Sequence, residues 1–368
     1  MKFCIVIIFF SSLAYSQTSE DYLMNGNGAF GKENFTEAII YYTKAIELNP
    51  LFANAYNNRG LAKYYTQDNL GAIADFSKAI ELEPTYSNAY SNRGLAKDEM
   101  KDYKGAIADY TFSLELNPKD FEVYYNRGIA RMNAKDYQGT IDDCTKAIEI
   151  SPDYPISYYN RGLAKNELLD FAGAIVDYSK VIELDSNNFN AYNNRGLERQ
   201  YLKDFEGAIS DYSKALEINS HLTIAYNNRC FAKNEITDYK GAILDCTKAI
   251  ELDSNFAMAY NNRGIAKYNL EEFTNAITDY SKAIELNPGL AIAYCNRGLS
   301  KFALKEYKGA ILDYTKASEL NPKLAIAYSN RGLAELKLKK KAEACLDFTK
   351  ADELGYEKAI ELLLEFCK

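Results

Sequence analysis

The chain has 368 residues, 26% of them charged and 47% apolar, with a formal net charge of −8. That length accommodates one large or two ordinary domains, and the composition is that of an ordinary water-soluble protein. No basic run suits a phosphate backbone, so nucleic acid is not an expected partner.

The N-terminus stands apart. In "MKFCIVIIFFSSLAYSQ", Lys2 precedes an apolar run from Phe3 to Phe10, and Ala14 and Ser16 satisfy the small-x-small rule for cleavage before Gln17. Residues 1–16 therefore read as a secretory signal peptide, and the mature protein is expected to be secreted or periplasmic. The run is too short to span a bilayer, which argues against an uncleaved anchor. No later stretch is long and apolar enough to cross a membrane. The sequence leaves a bacterial or a eukaryotic host open.

From Ser19 onward one unit repeats. The pair Asn-Arg starts at 58, 92, 126, 160, 194, 228, 262, 296 and 330, always 34 residues apart. With Ala53 as position 1, units begin at 53, 87, 121, 155, 189, 223, 257, 291 and 325, and a degenerate first unit begins at Ser19. Position 4 is tyrosine throughout, from Tyr22 to Tyr328. Position 8 is glycine in nine units, position 20 alanine in nine and position 24 aromatic in eight. Asp at position 16, as in Asp68 and Asp102, suits the N-cap of a second helix. "GAIADFSKAIELEP" then shows helical apolar spacing and stops at proline. Small residues at 8 and 20 let two helices approach closely, with aromatics beside them. One such hairpin cannot bury its own apolar face, but a stack of them can. The tail, residues 357–368, reads as an amphipathic helix capping the last unit.

The 34-residue period, the aromatic at 4, Gly at 8, Ala at 20, the aromatic at 24, Ala at 27 and Pro at 32 together resemble the tetratricopeptide repeat family. The resemblance implies ten tandem repeats over 19–356. It implies an all-α fold: a right-handed superhelical solenoid of antiparallel helix pairs whose first helices line a concave groove. It further implies a non-enzymatic scaffold that binds a segment of another protein in that groove. The alternative is a cell-envelope assembly or carrier component that binds glycan or lipid through Asn and Tyr side chains.

Two features depart from the family. Position 7, usually leucine, is Arg in units two to ten, and position 11 is mostly Lys or Arg. Two cations four apart on a helix repel. Position 23 is Asp in the same nine units, and unit one has neither charge, with Asn25 and Tyr41. A same-unit Arg–Asp bridge between the two helices leaves no charge unmatched, and it predicts that Arg127 meets Asp143. The competing reading is an arginine ladder that recognises an acidic partner.

By family analogy the groove positions are 2, 5, 6, 9, 12 and 13. Asn at position 6 recurs as Asn58, Asn92, Asn126, Asn160, Asn194, Asn228, Asn262, Asn296 and Asn330. An amide both donates and accepts, so this row suits a peptide backbone; the bland reading is a hydrogen bond to a neighbouring helix. Tyr125 and Tyr159 at position 5 add aromatic surface. Position 2 is polar early (Asn54, Asn88, Glu122) and apolar late (Ile224, Met258, Ile292, Ile326), either as groove lining or as helix packing. Position 5 is never Lys, so the family's carboxylate clamp for chaperone C-termini is not expected.

"GNGAFG" at 26–31 spells a dinucleotide fingerprint, but no strand precedes it. The one histidine, His221, builds no metal or catalytic set with a repeated partner. No catalytic constellation, cofactor site or metal site is expected. Cys230 and Cys246 replace the usual glycine and aromatic of one unit, which fits either a disulfide or two buried thiols. Asn34-Phe35-Thr36 is a glycosylation sequon, relevant in a eukaryotic secretory route.

Overall fold

The structure, a computed structural model, describes residues 17–367, so the expected signal peptide at 1–16 lies outside the described residues. Every element among the described residues is an α-helix. The helices form two compact units, one through Asp170 and one from Phe171. The first holds α1 (Ser19–Phe30), α2 (Phe35–Leu48), α3 (Ala53–Tyr65), α4 (Asn69–Leu82), α5 (Ser87–Glu99), α6 (Tyr103–Leu116), α7 (Phe121–Asn133), α8 (Tyr137–Ile150) and α9 (Pro155–Glu167). The second holds α10 (Phe171–Leu184), α11 (Phe189–Tyr201), α12 (Phe205–Ile218), α13 (Thr223–Glu235), α14 (Tyr239–Leu252), α15 (Ala257–Asn269), α16 (Phe273–Leu286), α17 (Ala291–Ala303), α18 (Tyr307–Leu320), α19 (Ala325–Lys337), α20 (Lys341–Glu353) and α21 (Ala359–Phe366).

Within each unit a second helix packs against its own first helix and against the first helix of the next repeat, and successive first helices touch. The core is accordingly a series of small clusters. Ala38 and Tyr42 of α2 meet Ala62 of α3, and Ala106 and Tyr110 of α6 meet Ala130 of α7. The position-24 rings of Phe76, Tyr110, Tyr212 and Tyr314 are wholly buried. Each contributes roughly 1.5–3 kcal/mol through lost apolar exposure. Position 8 must be small because of them: a Cβ on Gly60 would sit 2.8 Å from the Phe76 ring, and one on Gly94 2.7 Å from Tyr110. Where the ring is missing, the repeat adapts. In the fourth repeat Cys144 replaces it, and Thr140 stands where alanine is usual, its hydroxyl donating to the Gly128 carbonyl. In the seventh repeat Cys230 and Cys246 form a disulfide between α13 and α14, Cα atoms 5.5 Å apart. A second disulfide, Cys345–Cys367, ties α20 to the residue after α21.

The tight turn inside each hairpin is also repeated. The residue at position 15 takes a left-handed conformation, as Gln67 (φ 64°) or Lys135 (φ 63°), without being glycine. The next residue, Asp68, donates its N–H to the Lys63 carbonyl, closing α3. Its side chain then accepts from Gly71 N–H, opening α4. One aspartate thus ends one helix and starts the next.

Candidate binding face of the first helices

The arginines and the asparagines of the repeated Asn-Arg pair have different partners. Arg127 Nε and Nη2 donate to the two carboxylate oxygens of Asp143 at 2.9 and 2.6 Å. The same fork joins Arg59–Asp75, Arg93–Asp109, Arg195–Asp211, Arg229–Asp245, Arg263–Asp279, Arg297–Asp313 and Arg331–Asp347 at 2.6–2.8 Å. Asp143 is only 2% exposed. The position-11 cation adds a second contact to the same carboxylate, as Lys63–Asp75, Lys97–Asp109 and Arg131–Asp143. The repulsion between the two cations is thereby offset by one shared anion.

Two further partners of the arginine went unread in the sequence. Its Nη1 donates to a Ser or Thr hydroxyl on the preceding second helix: Arg59 to Thr43, Arg93 to Ser77, Arg127 to Thr111. Its guanidinium also lies over the position-4 ring, with Arg127 5.6 Å from the centre of Tyr124 and Arg59 5.5 Å from that of Tyr56. Each arginine therefore links three helices, which makes it a fixture of the stack.

The asparagines instead lie between neighbouring first helices, half-buried except for Asn262, which is only 3% exposed. Asn58 donates to Asn27 at 3.0 Å, Asn92 to Asn57 at 3.0 Å, Asn262 to Asn227 at 3.0 Å and Asn296 to Asn261 at 3.1 Å. Asn57 and Asn261 in turn donate to Asn58 and Asn262 within their own repeats. The result is a polar ladder from one repeat to the next. Asn330 reaches the Cys295 sulfur at 4.0 Å, and the hydroxyl of Tyr125 faces Asn160. Asn194 and Asn228 accept from Asn193 and Asn227. Asn126, Tyr125 and Tyr159 are half-buried on α7 and α9. Each amide carries two donors and an acceptor oxygen, so these contacts leave hydrogen-bonding capacity on the outer side.

In the first unit this face is indented. A depression of about 340 Å³ is lined by Asn27, Phe30, Gly31, Tyr42, Asn58 and Leu61. Its neighbour, about 430 Å³, shares Asn58 and Leu61 and continues over Asn88, Ser91, Asn92, Leu95, Glu122 and Asn126. Positions 2, 5, 6 and 9 of successive first helices thus line one surface. In the second unit position 2 is Asn190 in α11 and turns apolar from α13 onward, with Ile224 50% and Ile292 36% exposed.

The "GNGAFG" stretch lies within and at the end of α1, and His221 sits exposed before α13. Among the described residues no group of three or more His, Cys, Asp or Glu is arranged to hold a metal, and no helix is long and apolar enough to cross a membrane.

Sequence models described as tetratricopeptide repeat match residues 23–87, 87–120, 121–154, 156–188, 189–222, 257–290 and 291–324. Among solved structures, a tetratricopeptide repeat protein from Parabacteroides merdae is 22% identical. It matches with a TM-score of 0.57 over 67% of this chain and 99% of its own. The Cut9-Hcn1 hetero-tetramer of the APC/C yields a chain 13% identical, with a TM-score of 0.54 over 95% of this chain and 96% of its own. At these identities the likeness is one of fold. No curated protein matches the chain.

Proposed function

This chain belongs to the tetratricopeptide repeat family, and on that premise we propose that it is a non-enzymatic scaffold binding an extended segment of another protein. The segment lies along the first-helix face, in the groove made by successive repeats. The observation that carries this reading is the continuous lining of that face by recurring positions of three neighbouring first helices, α3, α5 and α7. The half-buried asparagines of the row from Asn58 to Asn330, Asn262 excepted, offer the backbone of the segment donors and acceptors, while the arginines are withdrawn into the stack. Such a surface grips main chain and reads side chains at positions 2 and 9.

The compartment we propose is the periplasm or the cell exterior. The N-terminal sequence supports it, and so do two disulfides, which persist in oxidising surroundings.

The test is site-specific photo-cross-linking. A photoreactive residue at Asn88 or Ile292, on the first-helix face, is expected to capture a protein partner. One at Ala108 or Leu244, exposed on second helices, is expected to capture none. Equal capture from both sets, or capture of glycan or lipid alone, would sink the proposal.

A further inference from the structure

On the first-helix face of α3, α5 and α7, positions 2, 5, 6, 9, 12 and 13 carry three charged side chains, Asp98, Glu99 and Glu122, and all are acidic. The cations of these helices are elsewhere. Arg59, Arg93 and Arg127 fork onto Asp75, Asp109 and Asp143, and Lys63 and Lys97 join them at 2.8 Å. The bridge that holds each hairpin together therefore strips this face of positive charge.

Two of the three carboxylates line depressions, and Asp98 precedes Glu99 on α5. Glu122 lines the 430 Å³ depression alongside Asn88 and Asn92. Glu99 lines a second one, about 590 Å³, with Tyr64, Tyr65, Gln67 and Asn69. No lysine or arginine lines either. None of the three makes an ion pair among the described residues, and Asp98 Oδ1 is buried without a hydrogen-bond partner. Burial, and then the Glu99 carboxylate beside it, push the Asp98 carboxyl above its ordinary range, with Asn133 pulling the other way. A carboxylate so placed gains from an incoming cation. The Tyr64 and Tyr65 rings beside Glu99 add the aromatic wall that an alkylammonium or guanidinium group favours.

We infer that the first unit's face docks a basic segment: an extended stretch of a partner protein with lysine or arginine side chains directed at Glu122 and at the Tyr64–Tyr65–Glu99 depression. This rests on the groove reading above and specifies the chemistry of its ligand. The second unit lacks the counterpart of Glu122, since position 2 is Asn190 and then Ile224, Met258, Ile292 and Ile326, although Glu235 stands at the position of Glu99.

The test uses the full mature chain with its disulfides intact and three labelled decapeptides. One alternates lysine with serine, one glutamate with serine, and one leucine with serine. Fluorescence anisotropy is expected to show binding of the lysine peptide and none of the glutamate peptide, with affinity falling as salt rises. The triple variant Asp98→Asn, Glu99→Gln, Glu122→Gln is expected to bind the lysine peptide about tenfold more weakly, as two exposed charge pairs and one part-buried one together allow. A control triple, Glu81→Gln, Glu115→Gln, Glu149→Gln, removes the same charge from second helices and is expected to leave binding unchanged. Equal weakening by both triples would reduce the effect to net charge and overturn the inference. So would tighter binding of the leucine peptide at this face, with the groove reading left standing. Failure of all three peptides together with failure of cross-linking from Asn88 would overturn the groove reading itself.

Discussion

Asp143 accepts from two nitrogens of Arg127 and one of Arg131 while almost wholly buried. Removing its main cation strands a buried anion, which costs more than the pair itself contributes. Arg127→Ala is therefore expected to lower stability by about 3–5 kcal/mol, read from the urea midpoint. The paired change Arg127→Met with Asp143→Leu removes both charges and is expected to cost much less. A loss below about 1 kcal/mol for the single variant would mark the bridge as an ordinary solvated pair. The bridge was legible in the sequence because Arg and Asp are present together in nine units and absent together in the first. The Ser or Thr at position 25 was equally regular, from Thr43 to Thr349. It went unread because a small hydroxyl on a helix looks like ordinary surface. The asparagine partners were legible only in part: position 5 varies among Leu, Asn, Ser, Tyr and Cys, and Asn58 meets Asn27 at position 9 instead, so the ladder has no fixed second member.

At the scale of the element, the hairpin boundaries follow from local chemistry. Asp at position 16 and glycine at 19 form the cap, as Asp204 with Gly207 in α12. Where Glu stands instead, the cap is lost: Glu306 at the start of α18 makes no side-chain cap, although Gly309 is in place. The longer side chain overshoots the N–H it should accept from. Glu306→Asp is expected to restore the bond and to raise stability by about 1 kcal/mol, seen as a higher thermal midpoint. The turn before each second helix holds a second opportunity. Lys135 occupies the left-handed region at φ 63°, where a Cβ is strained and glycine is not. Lys135→Gly is expected to gain about 0.5–1 kcal/mol, the strain relieved exceeding the entropy glycine adds to the unfolded chain. A loss in either variant would show that packing overrides local preference there. The left-handed turns were invisible in the sequence, since position 15 carries Lys, Glu, Gln, Leu and Thr without a glycine to mark them. The Cys345–Cys367 disulfide was likewise hidden, because Cys367 lies beyond the last full unit and matches no repeated position.

For the whole molecule, stability in a repeat array is close to a sum of local terms, so terminal repeats decide where unfolding starts. The last repeat departs from its neighbours at position 11, where Glu335 stands in place of a cation. Glu335 is 8% exposed and its Oε2 has no hydrogen-bond partner among the described residues. Asp347, which elsewhere would meet two cations, keeps Arg331 and gains a second carboxylate nearby. Burial first, and then Asp347, push the Glu335 carboxyl up to about 7; Glu343 adds to this, while Arg331 and Lys340 oppose it. An unfolded glutamate titrates near ~4.3. The folded value is the higher one, so the stability tied to this group is complete below about pH 4.3 and is lost as pH rises through 7. Hydrogen exchange, corrected for its intrinsic pH dependence, is expected to show α19 and α20 losing protection between about pH 4.3 and 7, with little further loss above that. Other helices of the second unit should hold theirs. Glu335→Lys restores the second cation for Asp347 and is expected to protect α19 and α20 and to flatten that pH dependence. Glu335→Gln removes the titration without adding a cation, so it should flatten the profile with a smaller gain. An unchanged profile in both variants would place the pH sensitivity elsewhere and show that the inverted charge is solvated rather than strained.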